Sequence, residues 1–420
     1  MQAWIATPVR LDRPERVSDG SSRESGLESM ARRAMGRPLT IALGILVASQ
    51  LVQWIPQYLT WPLFADHDVF WSAAQSWDAG ERPYRDFRTN NFPGTIYFCW
   101  ALGKLAGWGN VPALYAADVA FLLLFGAMLL AWSKRCLGGI AAGLVASAIW
   151  LSMYLDFDYS LTAQRDWHAG GLAVMALMAT QAWPNRGGRL ASTVLLALAA
   201  SVRPQVVLFL PAWWLALRGD GKERRLAERL GWVALLGIAT AATLIPLAWH
   251  GLLGDFLGRL RLVAYGGEYS KTSLGTIRVE LMREFQEFSY GAVAGGAALL
   301  SWNAGRAERR FGVPWLAAFL ATLLYKPMSP VPHAYLIQPL SLVMAALGGI
   351  LFQRIRNLPG ASATMQAVAL LLLIGLQVNG RTRFCNFETT LGGAGRAGLG
   401  VEPIREPLGF EMSPWAKGRR

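Results

Sequence analysis

Asp66-His67-Asp68 places two carboxylates and an imidazole within three residues, directly after the first long apolar run. A carboxylate so placed can take a proton from an attacking hydroxyl as a general base. The pair of aspartates could also bind a hard divalent cation such as Mg or Mn through oxygen ligands. The spacing by itself assigns no metal. Further chemistry-bearing groups lie downstream: Arg85 and Asp86, Arg165-Asp166 with His168, Arg203, Lys326 and His333. Arginine holds phosphate oxygens bidentately. A carboxylate beside several cations therefore suits displacement at a sugar carbon with phosphate as leaving group. Each of these groups also has a plainer role. Asp68 can cap the helix that follows, Arg165 with Asp166 can neutralise one another, and Arg203, Lys326 and His333 can anchor the chain at an interface.

The elements that position these groups follow from composition. The chain has 420 residues, 53% of them hydrophobic and only 16% charged, with 18 Trp. Its apolar runs approach the roughly 20 residues that cross a bilayer. The fold class is an all-α polytopic membrane protein. The net charge of +13 sits in short clusters between apolar runs, the positive-inside pattern, which argues against nucleic acid as a partner. Cys99, Cys136 and Cys385 have no metal-site or CxxC spacing.

Residues 1–37 are polar and Arg-rich and read as a disordered cytoplasmic tail. The first span is expected over about 39–59. The other basic clusters are Lys134-Arg135, Arg186 with Arg189, 218–229, 306–310, and Arg354 with Arg356. Placing them all on one side requires an even number of crossings between successive clusters. The segment 94–108 is about 15 residues long and carries Lys104, so it reads as an interfacial helix on the far side. The remaining spans pair as 137–155 with 168–184, 190–202 with 204–217, 230–249 with 288–303, and 311–326 with 333–352. A last span at 361–379 brings the total to about eleven, with the N-terminus inside. Pro204 disfavours helix at Arg203, which predicts a break there. The C-terminal residues 381–420 form an outer tail. All four histidines then fall at or near the outer face, and so do the other groups named above.

Residues 69–80 read as an amphipathic helix, with Phe70, Trp71, Ala74 and Trp77 on one face and Gly80 as its C-terminal cap. Motifs of soluble enzymes (P-loop, GxSxG, HExxH) are absent.

The order of segments resembles a known group. The outer acidic loop ADHDVFWSAAQSWDAGERPYRDF is followed by NNFPGTIYFCWALGKL, AQRDWHAGG, SVRPQ and KPMSPVPHAYLIQPL. Together they resemble the GT-C superfamily of polyprenyl-phosphate-dependent glycosyltransferases, which includes protein O-mannosyltransferases and lipid A aminoarabinose transferases. The resemblance covers roughly residues 38–352 and implies a GT-C-like catalytic module over 38–380, with a first outer loop at 60–111. It implies a polyprenyl-phosphate-linked sugar donor, a cell-envelope lipid or glycan acceptor, and a periplasmic active site in a bacterial inner membrane. It also implies that Asp66 or Asp68 is the catalytic acidic residue, with Arg165, Asp166, His168, Arg203, Lys326 and His333 near the substrate. Two rival readings remain: a transporter or flippase of lipid-linked sugars, and a non-catalytic component of a polysaccharide assembly complex.

Overall fold

The computed structural model describes residues 24–61, 63, 66–87, 89, 91–155, 162–218, 226–265, 306–325 and 334–357. Among them the chain is helical, without a β-strand. Helix α1 runs Glu24–Tyr58, followed by α2 Asp66–Asp78, α3 Pro93–Ala106, α4 Pro112–Cys136, α5 Ala141–Tyr154, α6 Arg165–Ala182 and α7 Arg186–Val202. A 3-10 turn at Pro204–Phe209 leads into α8 Leu210–Ala216. Next come α9 Leu226–Ala242, α10 Ile245–Trp249 and α11 Leu253–Tyr265. After 266–305, α12 spans Arg306–Tyr325, and a 3-10 turn at Ala334–Ile337 precedes α13 Gln338–Asn357.

Among the described residues three helices are long and apolar enough to cross a membrane: Pro38–Pro56 within α1, α4, and α13. Shorter apolar helices are Ala141–Tyr154, Pro204–Ala216 and Phe311–Leu323. The lone α5, at 14 residues, is ~21 Å long at 1.5 Å per residue. It is buried along its whole length. Its composition is rich in Ala, Gly and Ser, which lets other helices approach closely. A Cβ on Gly349 of α13 would stand 2.6 Å from the Ala142 carbonyl, so those two backbones are in direct contact.

Helix directions alternate, and their contacts define two ends of the bundle. At one end, Trp132 near the end of α4 and Trp315 of α12 both donate to Gln181 of α6, whose amide donates to the Phe311 carbonyl. Arg135 lies over Trp183, Arg189 pairs with Glu228 of α9 at 2.7 Å, and Arg229 lies over Trp214. Arg135, Arg189 and Arg229, from three of the basic clusters, therefore gather at this end. That is the clustering from which the parity argument started.

Two differences from expectation concern boundaries. Helix α1 begins at Glu24, inside the stretch expected to be disordered, and Pro38 lies within it. The amphipathic helix begins at Asp66 rather than Val69, so Asp68 sits in its first turn instead of capping it. There it still faces the positive end of the helix dipole. The expected spans 288–303 and 361–379, and the tail 381–420, lie outside the described residues.

The short 94–108 segment folds as α3, 14 residues long. It packs on α2 rather than continuing the bundle. Phe70, Trp71, Ala74, Ile96, Cys99, Leu247, Leu252 and Phe256 make a second apolar cluster, separate from the main core. Gly80 ends α2 as expected, at φ +99°. The Gly80 amide donates to Trp77 O and the Glu81 amide to Ser76 O, closing the two carbonyls of a Schellman cap.

Candidate functional site

The end of the bundle opposite the basic clusters holds the polar residues. Its centre is Asp118, two turns into α4 and fully buried. Tyr58 of α1 and Tyr154 of α5 each donate to its Oδ2 at 2.7 Å. Trp167 Nε1 and His168 Nε2, both on α6, reach its Oδ1 at 2.9 and 2.6 Å. An ionised carboxylate has about four lone-pair sites, and here each meets one donor. The Tyr154 hydroxyl also accepts from the Ala163 amide at 3.0 Å, tying the approach to α6 into the same network. Asp118 thus joins α1, α4, α5 and α6. Sequence reasoning missed it. The available signal was a single carboxylate in an otherwise apolar 25-residue helix, where an ionisable group is costly unless it is used.

A second node lies beside the first. Arg203 donates through Nε and Nη2 to Asp166 Oδ1 and Oδ2 at 2.8 and 2.7 Å. Tyr325, at the end of α12, donates to Asp166 Oδ1 at 3.0 Å. The predicted break explains the geometry. Helix α7 stops at Val202, and Arg203 is extended at φ −145° and ψ 116° before Pro204. Its side chain thereby leaves the α7 axis and meets the first turn of α6.

The first outer loop reaches the same place. His67 is buried, and its Nε2 lies 2.7 Å from the Thr162 carbonyl. A carbonyl only accepts, so Nε2 carries the proton. Burial lowers the His67 pKa, favouring the neutral ring, against the opposing charges of Asp66 and Asp118. The ring stands edge-on to Tyr115 at 5.9 Å, and Tyr115 packs on Tyr58, which donates to Asp118. Arg165 lies over the Phe70 ring of α2 at 5.1 Å. Among the described residues Asp68 accepts a long 3.4 Å contact from Ser72. A Cβ on Gly94 would stand 2.4 Å from Ser201 Oγ, so the first turn of α3 packs against the last turn of α7, next to Arg203.

The structure therefore brings Asp66, Asp68, Arg165, Asp166, His168 and Arg203 to one end. Arg85 and Asp86 have other partners. Arg85 pairs with Asp255 of α11 at 2.7 Å, and Asp86 pairs with Arg82. They clamp the loop after α2, and the pairing with Arg82 holds Asp86 below the usual carboxylate range. Lys326 and His333 lie outside the described residues. Asp66 and Asp68 are two positions apart on a helix, a spacing whose side chains do not face each other. Among the described residues no group of three or more His, Cys, Asp or Glu could hold a metal ion. Two diverging carboxylates fit a divalent cation poorly.

Compared with known proteins, the chain matches no protein-family model and no curated protein.

Proposed function

We propose that this chain is a GT-C-like membrane glycosyltransferase. It moves a sugar from a polyprenyl-phosphate donor to a lipid or glycan acceptor at the periplasmic face of a bacterial inner membrane. About eleven spans carry the site, with the basic clusters in the cytoplasm. The observation that supports this reading is the collection of Asp66, Asp68, Arg165, Asp166, His168 and Arg203 at the bundle end opposite those clusters. Charges collected at an interface suit a substrate whose lipid lies along the helices and whose phosphate stays at the surface. Arg203, already neutralised by Asp166, would share its guanidinium with a phosphate rather than meet it alone. In the transfer, the acceptor hydroxyl loses its proton to a first-loop carboxylate, and its oxygen bonds to the anomeric carbon. The bond from that carbon to the phosphate oxygen breaks, and the electron pair leaves with the polyprenyl phosphate. General-base catalysis of this kind contributes ~10²–10⁴-fold.

The test is transfer of radiolabelled sugar from polyprenyl-phosphate donors to an envelope lipid and glycan extract, comparing wild type with Asp66→Asn and Asp68→Asn. Loss in one variant, with expression and folding intact, supports the reading and identifies the carboxylate. Wild-type transfer that persists in both variants removes the first-loop carboxylates from the mechanism.

One observation favours the transporter reading. Asp118 is a buried carboxylate within an apolar helix and is paired with a histidine, the arrangement of many proton relays. Its lone pairs are nevertheless all occupied, which suits a fixed strut better than a moving ion site. Movement of a fluorescent lipid-linked sugar across proteoliposomes, without any transfer product, would decide for transport.

A further inference from the structure

Two of the histidines belong to this end of the bundle and are built differently. His67 is 1% exposed and its Nε2 is bound to a carbonyl. The His168 side chain is 17% exposed, against 0% for Asp118 beneath it. Asp118 accepts from two phenols and an indole, and an indole N–H only donates. The carboxylate is left as an acceptor toward His168, so Nε2 of His168 carries the proton. Its Nδ1 then presents a lone pair on the opposite edge of the ring. No hydrogen bond engages that nitrogen among the described residues. The ring cannot easily turn away, because Phe98 of α3 and Phe121 of α4 stand 5.8 and 5.1 Å from it, with Trp167 at 6.4 Å. A buried carboxylate that fixes one nitrogen of a partly exposed imidazole and leaves the other without a hydrogen bond is the arrangement of a histidine base with its orienting acid.

We propose that His168 is the base that takes the proton of the acceptor hydroxyl, and that Asp118 is its positioning residue. This rests on the glycosyl-transfer reading and reassigns the proton within it. The acceptor proton goes to His168 Nδ1, and the acceptor oxygen bonds to the anomeric carbon. The carbon–oxygen bond to phosphate breaks, with its electron pair leaving on the polyprenyl phosphate. Asp66 or Asp68 then stabilises the positive charge that builds at the anomeric carbon. The groups that face or neighbour the imidazole are Asp118 from α4, His67 from α2, and Arg165 and Asp166 on its own helix. Tyr58 and Tyr154 reach Asp118.

The experiment is the pH–rate profile of sugar transfer between pH 4 and 9 for wild type, His168→Gln, Asp118→Asn and Asp66→Asn. An imidazole base places a rate limb in the range of roughly pH 5–8, whereas a carboxylate base places it lower. The expected result is that limb in wild type and Asp66→Asn, its disappearance in His168→Gln, and a fall of ~10²–10⁴-fold in kcat. Asp118→Asn lowers kcat with KM kept within about 3-fold, since the substrate does not touch it. Should Asp118→Asn not fold, wild type treated with diethyl pyrocarbonate supplies the second measurement. Mass spectrometry should find His168 modified and His67 spared, with transfer lost and then recovered when hydroxylamine reverses the modification. A His168→Gln enzyme within about 3-fold of wild type, with the limb retained, overturns the base and leaves glycosyl transfer standing. Unmodified His168 overturns it as well. Wild type that transfers from no polyprenyl-phosphate sugar overturns the glycosyl-transfer reading itself, and the proton step with it.

Discussion

The Asp166–Arg203–Tyr325 node gives a prediction whose size follows from burial. Asp166 is fully buried, the Arg203 side chain is 14% exposed, and Tyr325 is fully buried. Removing one partner of such a pair strands the other charge away from water, at ~3–5 kcal/mol. Arg203→Ala belongs at the top of that range. It leaves a carboxylate with no exposure and, among the described residues, the Tyr325 hydroxyl as its remaining side-chain partner. Asp166→Ala belongs lower, because Arg203 retains some access to solvent. Tyr325→Phe deletes one hydrogen bond to a charged acceptor, at ~1.5–3 kcal/mol. The double variant Asp166→Ala/Arg203→Ala leaves no charge stranded. It should cost less than the sum of the single changes by ~2–3 kcal/mol. Arg203→Lys should recover only part of the loss, because an ammonium cannot reproduce the two-pronged contact. The assay is unfolding of the purified protein in mixed micelles, followed by tryptophan fluorescence, with all variants in one detergent. Single losses below ~1 kcal/mol, as for exposed ion pairs, would refute the reasoning. So would additivity within ~0.5 kcal/mol.

Three further outcomes follow. The His67 ring has a lowered pKa in the folded state, so unfolding takes up a proton below the ordinary value of about 6.5. Stability is therefore full above that pH and falls as the pH drops below it. Thermal midpoints measured from pH 8 to pH 5 should slope less in His67→Gln than in wild type, and equal slopes would remove the buried neutral ring from the account. Tyr58→Phe and Tyr154→Phe should each cost ~1.5–3 kcal/mol, read by the same unfolding assay, because each deletes a hydrogen bond to the Asp118 carboxylate. Gly94→Val should destabilise by at least ~1–3 kcal/mol, since its Cβ would meet the Ser201 backbone at 2.8 Å, and should lower transfer through displacement of Arg203.

The parts legible in the sequence were those set by local chemistry. The apolar runs marked helices, and the grouping of basic residues marked one end of the bundle. The short 94–108 run matched the 14-residue helix α3. Pro204 marked the break that frees Arg203, and Gly80 marked the end of α2. Each of these depends on composition, on length, or on the backbone limits of one residue type. Helix starts were less legible. Asp66 and Glu24 both lie upstream of the apolar periodicity, and polar residues continue a helix as readily as they precede one.

Pairing was decided by tertiary structure. Arg85 and Asp86 had the residue types of a binding site, yet Asp255 and Arg82 hold them. Nothing near Arg85 in the chain signals Asp255, which is 170 residues away. Asp118 shows the opposite case. Its sequence neighbours are apolar, and its partners lie 36 to 60 residues distant on three other helices. A sequence shows that a charge lies in an apolar helix and that such a charge is costly. Which groups offset the cost depends on how helices pack, because hydrogen bonds reach only about 3 Å. The same limit explains the two histidines. His67 and His168 look alike in the sequence, and burial with one partner each makes the first a latch and leaves the second partly exposed, with a nitrogen that no described residue engages.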